Sequence, residues 1–486
     1  SENNDLTKQN ITTVYFDIPE TSAGDGLRNF AQATNLALIF PQALVTSMKT
    51  NTLRGHFSVE AGLINLLAGT GLKGSIYANS TIFIESSGDD SSALKGSRKT
   101  DNMNKTSLKG KVKTNDTDVV VSIPLFESLR FLVPSLNLPQ RSGGGTGTFI
   151  ASAGLRGLNP DQTLVLVNGK RRHKTALINT STGLFSGSAG VDLNMLPTSA
   201  INRIEVLRDG ASAQYGSDAI AGVINVILKD KPGTGRAVIS SGENFDRSDG
   251  ENLSVGISNG FALGDDGYIN LSYDFIESKL SNRARTLALP EDGGRNLFAL
   301  LEDGSFDPRE SSIDRMVTKN FGNFPQTTNI FGVNAKASLH DTQLYSFASY
   351  AHRISDLTFT YRLPSDTRNI IDIFPLGFRP EEQIEESDFE VVAGLTGTSV
   401  EYDWDLSVSY GFDDTSWNNT SGVNASLGSG SPTSFFLGNM NSEEMIIQLD
   451  ATRSLILENS DLQVSFGLQY RREGFEILKG EYLSYA

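Results

Sequence analysis

The stretch TFIASAGLRGLNPDQTLVLVNGKRRH, Thr148–His173, together with VDLNMLPTSAINRIEVLRDGASAQYGSDAIAGVINVILKD, Val191–Asp230, decides the fold. Leu164, Val165, Leu166 and Val167 are apolar on both faces, the pattern of a fully buried strand. Asn159-Pro160-Asp161 leads into that strand as a turn, and Asn168-Gly169 leads out as another. Arg203–Arg208 reads as a second strand, with Ile204, Val206 and Leu207 apolar, and Val223–Leu228 as a third. Asp209-Gly210 turns the chain between them, and Ala211–Tyr215 is long enough for one helical turn only. Gly216 and Gly222 bracket the short segment that leads into the third strand.

These phrases carry a family resemblance. Leu155–Gly157 (LRG), Thr163–Arg172 (TLVLVNGKRR) and Arg203–Lys229 resemble the plug domain of a TonB-dependent outer-membrane receptor. The match is dense and ordered, so it is more specific than any single short motif. It implies a plug seated in an antiparallel transmembrane β-barrel, with TonB as the energising partner.

Composition bounds the other classes. The 486 residues suggest several domains. A net charge of −16 argues against nucleic acid, which needs a basic face. With no cysteine, disulfides and thiolate metal sites are excluded. No run of 18 apolar residues offers a transmembrane helix, but a transmembrane strand needs only about 9–11 residues. The histidines, His56, His173, His340 and His352, fall in different parts of the chain. No nucleophile elbow, Walker loop or paired-histidine zinc motif accompanies them, so no catalytic, metal or cofactor site is expected, and the chain does not read as an enzyme.

From the front, residues 1–10 read as a polar tail and 11–86 as a small α+β domain of order βαββαββ. Ser22 or Asp25 caps its first helix and Ser58 its second. Phe16–Glu20 (FDIPE), Leu27–Phe40 and Leu53–Ile76 resemble the secretin/TonB short N-terminal domain. That resemblance implies a periplasmic module that signals to an inner-membrane anti-sigma regulator. Residues 87–116, rich in Ser, Lys, Asp, Asn and Thr, read as a flexible linker. The plug is expected over 117–232. It begins at Asp118, Val119, Val120, Val121 and Ser122, a β-prone run suited to joining another protein's sheet edge. In the resembled family this is the TonB box, and the same run could equally be the first plug strand. The chain then passes directly into Ile123–Leu136, shorter than the family pattern at that point.

Charged residues inside the plug strands need partners, because unpaired buried charge is costly. By resemblance, Arg156, Arg203, Glu205 and Arg208 are expected to pair with the barrel wall; solvation in a wet lumen is the other reading. Arg171, Arg172, His173 and Lys174 form a basic cluster that could face an anionic ligand or meet the wall.

From 233 to 486 apolar and polar residues alternate strictly, as in Phe331–Leu339, Tyr402–Phe412 and Leu462–Tyr470. Tight turns near 264–267, 340–342, 399–401 and 458–461 alternate with long connections near 282–327, 362–386 and 418–442. One apolar face for lipid, one polar face for a lumen, and short turns opposite long loops describe a transmembrane barrel. About nine strands are expected, whereas plugged transporters have about 22, so the reading expects a fragment or a truncated product. The functional expectation is TonB-energised uptake of a scarce solute across the outer membrane, an iron–siderophore complex first, with the N-terminal domain signalling in the periplasm. A shortened periplasmic binding or signalling protein that does not transport is the alternative.

Overall fold

The computed structural model describes residues 14–34, 37–39, 48–77, 81–86, 112–113, 133, 135–138, 150–179, 185–207, 215–216, 218–233, 235–319, 321–457 and 460–486. The chain divides into two compact units, residues 1–105 with 117–121 and residues 106–116 with 122–486.

In the N-terminal unit β1 (Val14–Ile18), α1 (Ala23–Thr34), β2 (Ala37–Ile39), β3 (Leu53–Phe57), α2 (Val59–Leu67), β4 (Leu72–Tyr77) and β5 (Thr81–Ser86) follow the order read from the sequence. β1 pairs antiparallel with β3, and β5 lies between β2 and β4. Phe16, Leu27, Phe30, Leu53, Leu63 and Leu66 form the core, with the Phe16 and Phe30 rings stacked at 4.7 Å. Ser58 caps α2, its hydroxyl accepting from the Ala61 N–H at 3.2 Å. Ser58→Ala is expected to cost this helix about 1 kcal/mol, read as faster amide exchange over residues 61–67 and none elsewhere.

The second unit begins with a five-stranded sheet. Its strands are β6 (Val112–Lys113), β9 (Thr163–Val167), β10 (Lys170–Arg171), β11 (Ile201–Leu207) and β12 (Gly222–Leu228), in the order β10-β9-β12-β11-β6. β9 and β12 run parallel, and the other pairs are antiparallel. β7 (Leu136–Asn137) and β8 (Gly154–Leu155) form a separate pair. Every residue of β9 is buried, as its two-sided apolar pattern requires. Val112–Lys113, assigned to the linker from composition, instead pairs with Arg203 and Ile204. The exposed edge of β11 supplies backbone partners that local composition does not reveal.

The remaining strands form one antiparallel sheet of nine, each beside its chain neighbour. They are β13 (Arg236–Asn244), β14 (Asp249–Leu263), β15 (Gly267–Ser278), β16 (Gln326–Leu339), β17 (Thr342–Thr358), β18 (Glu381–Ser399), β19 (Tyr402–Ser421), β20 (Phe435–Leu457) and β21 (Ser460–Lys479). Period-two alternation turns Leu271, Phe331, Val333, Leu406 and Leu468 outward, where they are exposed. The opposite face covers the plug. Phe347 of β17 and Val392 of β18 join Leu155, Val165, Ile204 and Ile224 in one apolar core. The long connections at 279–325, 359–380 and 422–434 leave one end of the sheet, together with the short 245–248 connection, and the tight turns at 264–266, 340–341 and 400–401 leave the other. Two of these loops pack together, Leu297, Phe298 and Val317 against Tyr361 and Leu363. Beneath them Glu310 accepts from the Leu297 and Phe298 N–H groups and pairs with Arg315 at 2.6 Å.

Candidate functional site

The Asn168-Gly169 turn sets the geometry of the plug–wall contact. Asn168 at φ 49° and Gly169 at φ 81° reverse the chain after β9, and Lys170–Thr175 then crosses the sheet's inner face. On that face β18 presents Glu386, Asp388 and Glu390, because alternate residues of a strand share a side. The two sets of charges meet there.

Arg172 Nη1 donates to Glu390 at 2.9 Å and to Ser349 Oγ at 3.2 Å, and its other terminal nitrogen donates to Asp388. His173 Nε2 lies 3.0 Å from the second Asp388 oxygen, and Thr175 Oγ1 donates to Glu386 at 3.3 Å. Arg353 reaches from β17 to join Asp192 of the plug, at 2.9 Å, with Glu386 of the wall. All these charged side chains are buried, Arg353 at 1% exposure. Lys170 Nζ donates to Asp405 at 2.9 Å, sharing that carboxylate with the Tyr345 hydroxyl.

Further contacts flank this centre. Arg171 turns back into the plug to Asp218 and to the Tyr215 carbonyl. Arg471 of β21 approaches the same Asp218 at 3.4 Å while bonding Glu444 at 2.7 Å. The Ser199 hydroxyl donates to Asp274 at 2.8 Å, and Lys229 donates to Ser258 at 2.8 Å. The wall is thinned where the plug presses closest. A Cβ at Gly411 would lie 2.4 Å from His173 Nδ1, and one at Gly332 would lie 2.8 Å from Pro197 Cγ.

Burial and the neighbouring Arg172 charge push the His173 imidazole down, but the Asp388 and Glu390 carboxylates outweigh them, so its pKa lies above the ordinary value. A raised folded-state pKa means stabilisation by the imidazolium that is full below about pH 6.5 and lost as pH rises through the higher folded value. The difference in thermal midpoint between the native chain and His173→Gln is therefore expected to be largest at the acidic end and to shrink as the pH is raised. A difference constant with pH would contradict this.

The site residues expected from the sequence are distributed differently. Arg203 pairs with Glu205 at 2.9 Å within β11, and Glu205 also accepts from Asn225 of β12, so both are partnered inside the plug. Arg156 occupies an exposed turn position at φ 58°. Arg208 and the coupling run Asp118–Ser122 lie outside the described residues. Of the basic cluster, Arg172 and His173 are buried against the wall, Arg171 bonds within the plug, and Lys174 lies 3.4 Å from Glu473 of β21. The wall carboxylates had a readable signal: Glu386, Asp388 and Glu390 sit at every second position of a strand, on its polar face.

Comparison with known proteins bears on the plug and on the fold. Residues 119–223 match the family described as TonB-dependent Receptor Plug Domain. The chain is 36% identical over 147 residues to the vitamin B12 transporter BtuB of Vibrio vulnificus, covering 30% of this chain and 21% of that protein. It is 34% identical over 187 residues to BtuB of Vibrio cholerae, covering 38% and 27% respectively. A crystal structure of a mutant ferric enterobactin receptor from Pseudomonas aeruginosa, in complex with enterobactin, superposes with a TM-score of 0.51 at 15% identity. That superposition covers 73% of this chain and 47% of the receptor and reports on the fold alone. The matches thus span less than half the length of these relatives. In sequence, residues 119–223 match the plug domain of TonB-dependent receptors, and the described part of that plug lies against a nine-stranded antiparallel sheet of the corresponding partial-barrel type.

Proposed function

We propose that this chain belongs to an outer-membrane receptor that takes up a scarce solute with energy supplied through TonB. The observation that carries the reading is the plug itself, a small sheet seated on the polar face of a larger one by buried ion pairs. Such an attachment closes a passage and can be undone without unfolding either sheet. The exposed apolar face of the nine-stranded sheet suits outer-membrane lipid. Asp118–Ser122 is the coupling segment on this reading, adding a strand to TonB. Force on that segment shifts the plug and breaks its contacts with the wall.

An iron–siderophore complex is the proposed cargo, and cobalamin the competitor suggested by the curated relatives. Residues 14–86 would act as the periplasmic signalling module, with an anti-sigma regulator as partner; their βαββαββ order is compatible with that role. The test is accumulation of radiolabelled ferric siderophores and of labelled cobalamin by cells carrying the whole gene, in hosts with and without TonB. Accumulation of a ferric siderophore is expected only where TonB is present. Accumulation equal in both hosts, or no greater than without the gene, would refute the reading.

A further inference from the structure

The wall beneath the plug carries more negative charge than anchoring the plug requires. Strand register places Asp274, Arg353, Glu386, Asp388 and Glu390 on one face of the sheet. Carried across β19 to β21, the same register adds Asp405, Asp413, Glu444, Asp450 and Glu473 to that face. Its cations are fewer: Arg353, Arg471 and Lys479, with Arg236 and Lys336 toward the sheet's first strands.

Asp413 is the informative member. It lies directly opposite Asp388 in the β18–β19 ladder, a like-charge placement that weakens a sheet. Its side chain is wholly buried; one oxygen accepts from the Thr415 hydroxyl at 3.2 Å, and its other polar neighbours are the Glu386 carboxyl and the backbone N–H of Ala176 in the plug. Packing alone gives no reason to gather three acids at one buried point, where they are costly unless a proton or a cation is shared among them. A wall that only anchored the plug would match its carboxylates to plug cations. Here Lys170, Arg172 and His173 engage Asp405, Asp388 and Glu390, and no described plug cation pairs with Asp413.

We propose that this face is the charged lining of the passage opened when the plug moves, and that its cargo is a solute of net positive charge, such as a cationic metal chelate. The proposal rests on the receptor reading above for the existence of the passage. When Lys170, Arg172 and His173 leave with the plug, the wall loses its counter-charges and presents carboxylates to the lumen. A lining of one sign, set in low-dielectric walls, concentrates solutes of the opposite sign and repels its own. The cargo's positive charge takes the place that the plug cations vacate.

The first measurement is the reversal potential of the full chain in planar bilayers under a KCl gradient, with urea raised stepwise until the plug releases. A current selective for K⁺ over Cl⁻ by at least about fivefold is expected. An unselective or anion-selective current would overturn the proposal, and so would the absence of any current, because no passage would then run along this wall. This reading needs no TonB, so it fails or stands separately from the uptake experiment. The second measurement ranks the chelates that the uptake experiment finds to be carried. A trihydroxamate ferric chelate with a free terminal amine is expected to outcompete the same chelate with that amine succinylated. Preference for the succinylated, anionic form would contradict the assignment.

Discussion

Replacing Arg353 with alanine is expected to lower the unfolding free energy of the plug and sheet by about 3–5 kcal/mol, the cost of leaving buried carboxylates without their cation. Arg353 is the one described side chain that bonds a plug carboxylate, Asp192, and a wall carboxylate, Glu386, while itself 1% exposed. Truncation removes the guanidinium and leaves both acids in a dry site. The urea midpoint of the detergent-solubilised protein should fall with little change in slope, since the surface exposed on unfolding is nearly unaltered. Replacing all three together, Arg353→Met, Asp192→Asn and Glu386→Gln, should recover most of the loss, because no net charge then remains to be buried. Failure of the triple variant to recover would show that Arg353 supports the fold through packing and not through charge.

The second large effect is expected at Arg172. Arg172→Ala strands Asp388 and Glu390 beside Asp413, and the loss is again about 3–5 kcal/mol. Arg172→Lys should restore only part of it. A lysine places one compact charge where the guanidinium now reaches two carboxylates and Ser349 from separate nitrogens. The Arg172 and Arg353 losses should not add, since Glu386 and Asp388 are same-face neighbours on β18. A double-mutant cycle on the two arginines reads that coupling directly.

Much of the fold is legible locally. The buried run Leu164–Val167, the Asn168-Gly169 reversal and the alternation in β16, β19 and β21 each depend on a few consecutive residues, and each stands where the pattern places it. The alternation of tight turns with long connections likewise marks the two ends of the sheet. The partners of the charges are not legible. Arg172 and Glu390 are 218 positions apart, so no spacing rule connects them. Arg203 and Glu205 are expected from the sequence to reach the wall, yet two positions apart on one strand they share a side and satisfy each other. The basic cluster leaves wall and ligand open because the deciding feature, the carboxylate row of β18, lies in a different part of the chain. Gly411 shows the same limit. Its missing side chain reads as a weak point in a strand, and only the assembled structure shows the imidazole that fills the space.

The central claim is that a plug held by wall contacts must move for solute to pass, and a reversible cross-link tests it most directly. Residues 1–486 hold no cysteine, so an introduced pair would have no competitor among them. A Cβ at Gly256 of β14 would lie 3.3 Å from the Cβ of Ser199 in the plug, close to the roughly 3.5–4.5 Å spanned by disulfides. In cells carrying Ser199→Cys with Gly256→Cys, TonB-dependent uptake is expected to stop under oxidising conditions and to return on reduction, while each single variant transports throughout. Undiminished uptake by the oxidised, fully cross-linked protein would contradict the account.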